Sequence, residues 1–374
     1  MMKRRINLIA VVLLLISTKA AAQTSRWKQG ILADEFIYDT ASFPQAHAAT
    51  IAETPDGLIA AWFGGTKEGN KDVCIWTSRL VHDHWTAPEL AADGVLNDST
   101  RYACYNPVLY YAPTGELLLF YKIGPNVGGW TGWLKRSSNN GKTWSKREAL
   151  PEGFLGPVKN KPELINGVLI CPSSTEKNGW KVHFEYTKDW GHTWTKSAPI
   201  NDGIKFSAIQ PSILKYKNGT LQVLGRTRNT VIYQSWSKDN GKTWSEMTAL
   251  DLPNNNSGTD AVTLKDGRQL LVYNHVLPDS SWKKGKGPRT PLNVAISKDG
   301  KKWYAALVLE DSPISQYSYP SVIQGKDGMV HIVYTWRRQK IKYVKIDPSK
   351  LKLTPIKNKK WPGLVAPKGT VTND

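Results

Sequence analysis

One motif recurs along this chain, and a repeat of its kind excludes most globular folds. A small hydroxyl residue is followed two positions later by Asp or Asn, then by Gly, then by Thr-Trp. The copies are Ser137-Ser-Asn139-Asn-Gly141-Lys-Thr143-Trp144, Thr187-Lys-Asp189-Trp-Gly191-His-Thr193-Trp194 and Ser237-Lys-Asp239-Asn-Gly241-Lys-Thr243-Trp244. A copy one residue shorter is Ser297-Lys-Asp299-Gly300-Lys-Lys-Trp303, and a worn one ends at Trp85. A second repeat runs in phase with the first. The turn dipeptides Asp56-Gly57, Thr114-Gly115, Asn166-Gly167, Asn218-Gly219, Asp266-Gly267 and Asp327-Gly328 each precede an apolar strand. Asx-Gly between apolar runs is the strongest short hairpin signal. Five of the six dipeptides are Asx-Gly and the sixth is Thr114-Gly115, and six hairpins in one chain predict an all-β fold, a six-bladed β-propeller. No blade buries both of its faces alone, whereas a closed ring of blades does. The stretch KIKYVKI after Trp336 is expected to pair near Phe36 and close the ring. In the box itself, the Asp side chain caps backbone N–H groups of the turn and Trp packs beneath it. The box is therefore read as a staple without catalytic duty.

Composition fits this architecture. A hydrophobic share of 40% supports a full core, and 16 Trp, 30 Gly and 22 Pro suit many short strands and turns. Lys3, Arg4 and Arg5 precede the apolar stretch 6–16, and Ala20-Ala21-Ala22 stands before Gln23. This is the pattern of a cleavable export signal, too short in its apolar part to span a membrane comfortably. Residues 1–22 are thus expected to be a signal peptide, and 23–374 a single propeller domain that is periplasmic or secreted, without stable membrane insertion. The net charge of +19 falls to +15 once the four basic residues of that segment are set aside. Such a balance suits nucleic acid, a membrane surface or an acidic glycan, and it also suits plain solubility. Export without a helical basic arm favours the glycan, and nucleic acid is not expected as a partner. Cys74, Cys104 and Cys171 are odd in number, lack metal spacing and lie in apolar runs, so buried free thiols are expected.

With its boxes on a six-fold frame, the chain resembles the sialidase (neuraminidase) superfamily, and more closely the bacterial predicted-neuraminidase branch of BNR-repeat, sialidase-like proteins. The resemblance covers nearly all of residues 35–350. It implies a substrate carboxylate held by three arginines, a Tyr nucleophile assisted by a Glu, and an acidic acid/base residue on a blade-one loop. Sialidases are the tyrosine-nucleophile exception among glycosidases. Placed by distance from the nearest hairpin, the second arginine matches Arg226 in LGRTR and the third matches Arg289 before LNVAIS. The Tyr matches Tyr319 in YSYPSV, and the blade-one acid matches Glu68 in GGTKEGNKD, with Asp72 second. Two positions depart from the pattern. Gln45 stands where the first arginine is implied, and Gln210 in AIQPSIL stands where the helper Glu is implied.

Other polar residues of the inner-strand segments offer chemistry of their own. His47 is a neutral general acid or base near pH 7, or a core histidine bonded to backbone. Asn106 and Lys161 precede buried strands and are expected to line the axis. Glu176 is a further carboxylate candidate or a solvated loop residue. Asp260 needs a buried partner, for structure or for catalysis. One of Arg337 and Arg338 is a candidate to point inward for the missing arginine, unless both face solvent. His183 and Glu185 alternate with apolar neighbours and are expected on a solvated outer face. The chain has no GxSxG, P-loop, HExxH or GxGxxG stretch, and its histidines are scattered, so neither cofactor nor metal is expected. The reading is an exported glycoside hydrolase acting on the non-reducing end of an acidic glycan, a sialoside or a uronic-acid-containing one. A polysaccharide lyase or a non-catalytic glycan-binding propeller on the same scaffold is the alternative.

Overall fold

A computed structural model describes residues 26–363, so the segment read as an export signal lies outside the described residues. Six antiparallel sheets form six blades. The innermost strands are Gln45–Thr54, Ala103–Tyr111, Glu163–Ile165, Ala208–Lys215, Asp260–Thr263 and Tyr317–Gln324 for blades one to six. The second strands, each entered through one of the six turn dipeptides, are Gly57–Gly65, Leu117–Gly124, Val168–Thr175, Leu221–Thr227, Gln269–Tyr273 and Val330–Trp336. The ring closes as expected. In blade six, Lys340–Ile346 pairs antiparallel with the N-terminal strand Ile31–Phe36, with Asp34 opposite Val344 and Phe36 opposite Lys342.

Apolar clusters sit between neighbouring blades. Ile59 and Phe63 of blade one meet Leu119 and Tyr121 of blade two, and Val272 and Val294 of blade five meet Ile332 and Val344 of blade six. Burial between blades explains why strands one and two read as near-continuous apolar runs, because both of their faces are covered. Cys74, Cys104 and Cys171 are free and buried in this packing.

The boxes carry the load assigned to them. In the blade-four copy, Asp239 Oδ1 accepts from the Thr243 and Lys242 amides at 2.9 and 3.1 Å, and Oδ2 accepts from the Thr243 hydroxyl at 2.6 Å. Ser237 Oγ donates to Asp239 at 2.8 Å and accepts from Gly241 N–H at 2.9 Å. These donors hold the Asp239 carboxyl down at about 2. Gly241 has φ +81°, and a Cβ there would meet Ile170 of blade three at 2.8 Å. Trp244 stacks on Phe184 of blade three at 4.5 Å between ring centroids. Each box thus fastens its blade to the preceding one. The worn copy is a plain hairpin instead, with positive φ at His82 and Asp83, and its Trp85 donates to Glu35 of the closing strand at 3.2 Å. Asp239→Ala is expected to lower the melting temperature by a few degrees and to leave turnover per folded molecule unchanged. A large fall in turnover at constant melting temperature would place chemistry in the box.

Because the strands run up and down, their connections alternate between two ends. The turn dipeptides and the boxes share one end of the ring. The loops between second and third strands share the other end with the segments that pass from blade to blade. Glu68, Glu176, Arg228, Arg289, Arg337 and Arg338 all belong to this second end.

Candidate active site

The inner strands bulge as they enter this end. The pairing register slips between His47 and Thr50, between Ile209 and Ser212, and between Ser318 and Ser321. In blade two the slip falls opposite Phe120 to Lys122. Each bulge contains one residue with positive φ: Ala48 (+55°), Asn106 (+36°), Gln210 (+58°) and Tyr319 (+53°). Three of the four precede a proline, at Pro107, Pro211 and Pro320. Proline lacks the N–H that a regular ladder needs, so it fits a bulge. Left-handed backbone at a non-glycine residue is uncommon and clusters at functional sites.

Tyr319 is the centre of the contacts. Arg226 Nη1 donates to its hydroxyl oxygen at 2.7 Å and reaches Gln210 Oε1 at 3.4 Å, while Arg226 Nε donates to Asn256 Oδ1 at 3.2 Å. The Tyr319 ring has the guanidinium carbons of Arg289 and Arg226 at 5.5 and 5.6 Å and the Lys159 ammonium nitrogen at 5.8 Å. Arg289 Nη1 donates to Gln316 Oε1 at 2.8 Å. The His47 ring lies 4.2 Å from the Tyr319 ring, and its Nδ1 is 2.9 Å from Thr335 Oγ1. Arg226, Arg289 and His47 are all buried. Burial, joined by the charges of Arg338, Arg289, Arg226 and Lys159, pushes His47 well below the ordinary histidine value. An NMR titration is expected to find His47 uncharged at pH 6.5, the ordinary midpoint. A charged imidazole there would contradict this electrostatic setting.

Beneath Tyr319 runs the segment that leads into blade three. Lys159 Nζ donates to the Thr259 and Pro320 carbonyls and to Asn160 Oδ1, at 2.9, 2.5 and 2.8 Å. Asn160 Nδ2 donates to the Gln210 carbonyl at 3.0 Å and to Ser212 Oγ at 2.8 Å. Lys161 pairs with Asp260 at 3.0 Å. Asp260 in turn accepts from Ser212 Oγ at 2.9 Å and from Val322 N–H at 2.8 Å. Three consecutive side chains thus bind blades four, five and six across the axis and fix the bulges of Gln210 and Tyr319. Burial lowers Lys159 to about 7.

The structure sorts the sequence candidates. Tyr319, Arg226, Arg289, Gln210 and His47 come together. Half-buried Lys161 and fully buried Asp260 pair in the floor, so the partner that Asp260 needed is Lys161. Asn106 is buried, and its carbonyl accepts from the Lys122 ammonium at 3.5 Å. Glu68 pairs with Arg338 at 2.5 Å, whereas Asp72 caps Thr66 of its own loop. Arg338 is also the charge that His47 feels most. Arg337 instead turns to the Tyr317 hydroxyl at 3.2 Å and to Ser312 Oγ at 3.3 Å, and lies over Trp336 at 4.4 Å. Of the arginine pair, Arg338 is the one turned to blade one, where it pairs with Glu68 and its carbonyl accepts from the Ala46 amide at 2.8 Å. Gln45 begins the inner strand of blade one opposite Gly65, and neither it nor Glu176 makes a side-chain hydrogen bond among the described residues. The residue that directly precedes the blade-one bulge is His47. The solvated face expected for His183 and Glu185 is not found. Both are buried, with His183 Nε2 3.0 Å from Glu185 Oε1, and Glu185 accepts from the Leu155 and Gly156 amides. The reason is that the segment between blades two and three folds over that strand and covers its polar residues. Lys159, Asn160, Asn256, Gln316 and Thr335 carry no usable pattern, although Lys159 and Asn160 adjoin Lys161 in a polar run before Pro162.

Residues 56–332 match the family described as BNR repeat-like domain. The chain is 24% identical over 235 residues to an anhydrosialidase of Macrobdella decora, an alignment covering 56% of this chain and 30% of that protein. It thus spans less than a third of that relative's length. Among solved structures, a Dyadobacter fermentans protein of unknown function superposes with a TM-score of 0.68 at 18% identity, covering 85% of this chain and 99% of the other. The intramolecular trans-sialidase of Ruminococcus gnavus superposes with a TM-score of 0.65 at 16% identity, covering 87% and 100%. These superpositions show the sialidase-type propeller fold.

Proposed function

This chain belongs to the BNR repeat-like domain family, and from that premise we propose that it is a glycan-acting enzyme, an exported glycoside hydrolase of sialidase type that removes an acidic sugar from the non-reducing end of its substrate. The observation that carries the reading is Arg226, whose guanidinium binds the Tyr319 hydroxyl at 2.7 Å and has no carboxylate partner among the described residues. A buried guanidinium without a counter-charge is costly in the free protein and suits an incoming anion. In this reading the sugar carboxylate sits between Arg226 and Arg289. The Tyr319 oxygen attacks the anomeric carbon as the glycosidic C–O bond breaks, and the Arg226 bond stabilises negative charge on that oxygen. Glu68, held by Arg338, gives a proton to the departing oxygen while the Tyr319 phenol proton leaves to solvent. Glu68 then takes a proton from the water that cleaves the Tyr319–sugar bond, and the tyrosine oxygen regains its proton as the sugar is released.

Incubation with sialosides, uronides and rhamnosyl-uronides is expected to release a free acidic sugar from one class. Absorbance of an unsaturated uronide without water uptake would make the protein a lyase. Tight binding that leaves every glycan intact would make it a binding propeller. Export is tested separately: the mature protein recovered from outside the cytoplasm is expected to begin at Gln23.

A further inference from the structure

The structure assigns His47 the role of a hydrogen-bond donor, presenting Nε2–H to an oxygen of the bound sugar beside Tyr319, with Thr335 as the positioning residue that sets this tautomer. The assignment rests on the axis being the glycan site proposed above. A histidine in such a place is ordinarily taken for a base, and its hydrogen bonds point the other way.

The Thr335 hydroxyl oxygen accepts from the Ala48 amide at 3.2 Å and lies 2.9 Å from His47 Nδ1. Thr335 is fully buried. Its hydroxyl proton needs an acceptor, and His47 Nδ1 is the one found for it among the described residues. A neutral imidazole has one N–H and one acceptor nitrogen, and the partner of one nitrogen decides the state of the other. If Nδ1 accepts from Thr335, the ring proton is on Nε2. In the opposite tautomer Nδ1–H would donate to an oxygen that already accepts from Ala48, and the buried hydroxyl proton would be left unmatched, which is costly. The Nε2–H arrangement satisfies every group except Nε2–H itself, which makes no hydrogen bond among the described residues.

The surroundings agree. Arg338, Arg289, Arg226 and Lys159 all act on His47, and each opposes a positive charge on its ring. Phe63 lies edge-on to the ring at 5.6 Å and Tyr319 tilts over it at 4.2 Å, so the imidazole is fixed in plane. The bulge at Ala48 turns the Ala48 amide toward Thr335, so the left-handed backbone of blade one helps to hold the tautomer. The site then offers a carboxylated sugar donors from Arg226, Arg289 and His47. A proton acceptor for Tyr319 has to come from elsewhere.

The test is the tautomer itself, read by long-range proton–nitrogen correlation on the whole mature protein labelled at histidine nitrogen, without ligand. His47→Asn identifies the resonance among the seven histidines. A neutral ring with its proton on Nε2 is expected. Thr335→Ser is expected to keep that pattern, and Thr335→Val to mix the two tautomers. A proton on Nδ1, or Nε2–H unchanged in Thr335→Val, overturns the assignment without touching the glycan reading. On the glycan that is released, His47→Gln keeps an N–H near the place of Nε2 but cannot take up a proton. It is expected to retain activity within about tenfold, while His47→Leu loses about a hundredfold or more, the low end of what one positioned hydrogen-bond donor supplies. Equal loss in both variants overturns the donor role. Failure of every glycan to react would sink the hydrolase reading, while the nitrogen spectrum would still decide the tautomer.

Discussion

Tyr319→Phe is expected to cut turnover by about a hundredfold or more with little change in melting temperature. The substitution removes one oxygen. The ring that packs against His47, and that has Lys159, Arg226 and Arg289 around it, stays in place. The left-handed backbone at Tyr319 is equally open or strained for phenylalanine, so the bulge is not a confounder. Arg226 loses the partner at 2.7 Å but keeps Asn256. What disappears is the oxygen assigned to the anomeric carbon, and no neighbouring hydroxyl replaces it, because the Tyr317 hydroxyl is engaged by Arg337. Steady-state kinetics beside calorimetry decide the matter. Full activity in Tyr319→Phe together with loss in His47→Leu would end the tyrosine mechanism and leave a histidine-centred reaction on the same propeller.

Arg226→Ala and Arg289→Ala are each expected to weaken an acidic ligand by about 2–5 kcal/mol, the cost of truncating one member of a buried, hydrogen-bonded charge pair. A neutral analogue of the same sugar should lose far less. The two arginines enter from different directions. Arg226 ends the second strand of blade four and is braced by Asn256, whereas Arg289 precedes the third strand of blade five and is braced by Gln316. Their separate supports make the single variants independent tests. Calorimetric titration of each variant with the acid and with its neutral counterpart gives the four numbers needed. Equal losses for both ligands would mean that the arginines hold the fold and read no carboxylate.

The candidate site is legible where a residue can be counted from a hairpin. Arg226 follows the fourth turn dipeptide, Arg289 precedes the strand into the fifth box and Tyr319 opens the last blade, so the resemblance carried them directly. Glu68 was located the same way, but its pairing with Arg338 could not be read. Arg337 and Arg338 were indistinguishable as a dipeptide. Both have positive φ in a tight turn, and turning about that bend sends one to Tyr317 and the other to Glu68. Gln45 lies two residues before the register slip at His47, and the place of His47 beside Tyr319 follows from that bulge, which no local pattern announces.

Local rules settled the repeat. Asx-Gly turns need positive φ, boxes need a hydroxyl and a carboxyl at fixed offsets, and apolar strands need covered faces, so six hairpins in phase dictate six blades and a closed ring. Those requirements are met within some ten residues and are written in neighbouring letters. The axis obeys no such spacing. His47 meets Tyr319 and Thr335 because the first and last blades become neighbours only when the ring closes through Ile31–Phe36. Lys159, Asn160 and Lys161 find Pro320, Gln210 and Asp260 because six inner strands converge on one line. A buried polar group must find a partner wherever the closed ring supplies one, and which partner that is depends on the convergence of all six blades.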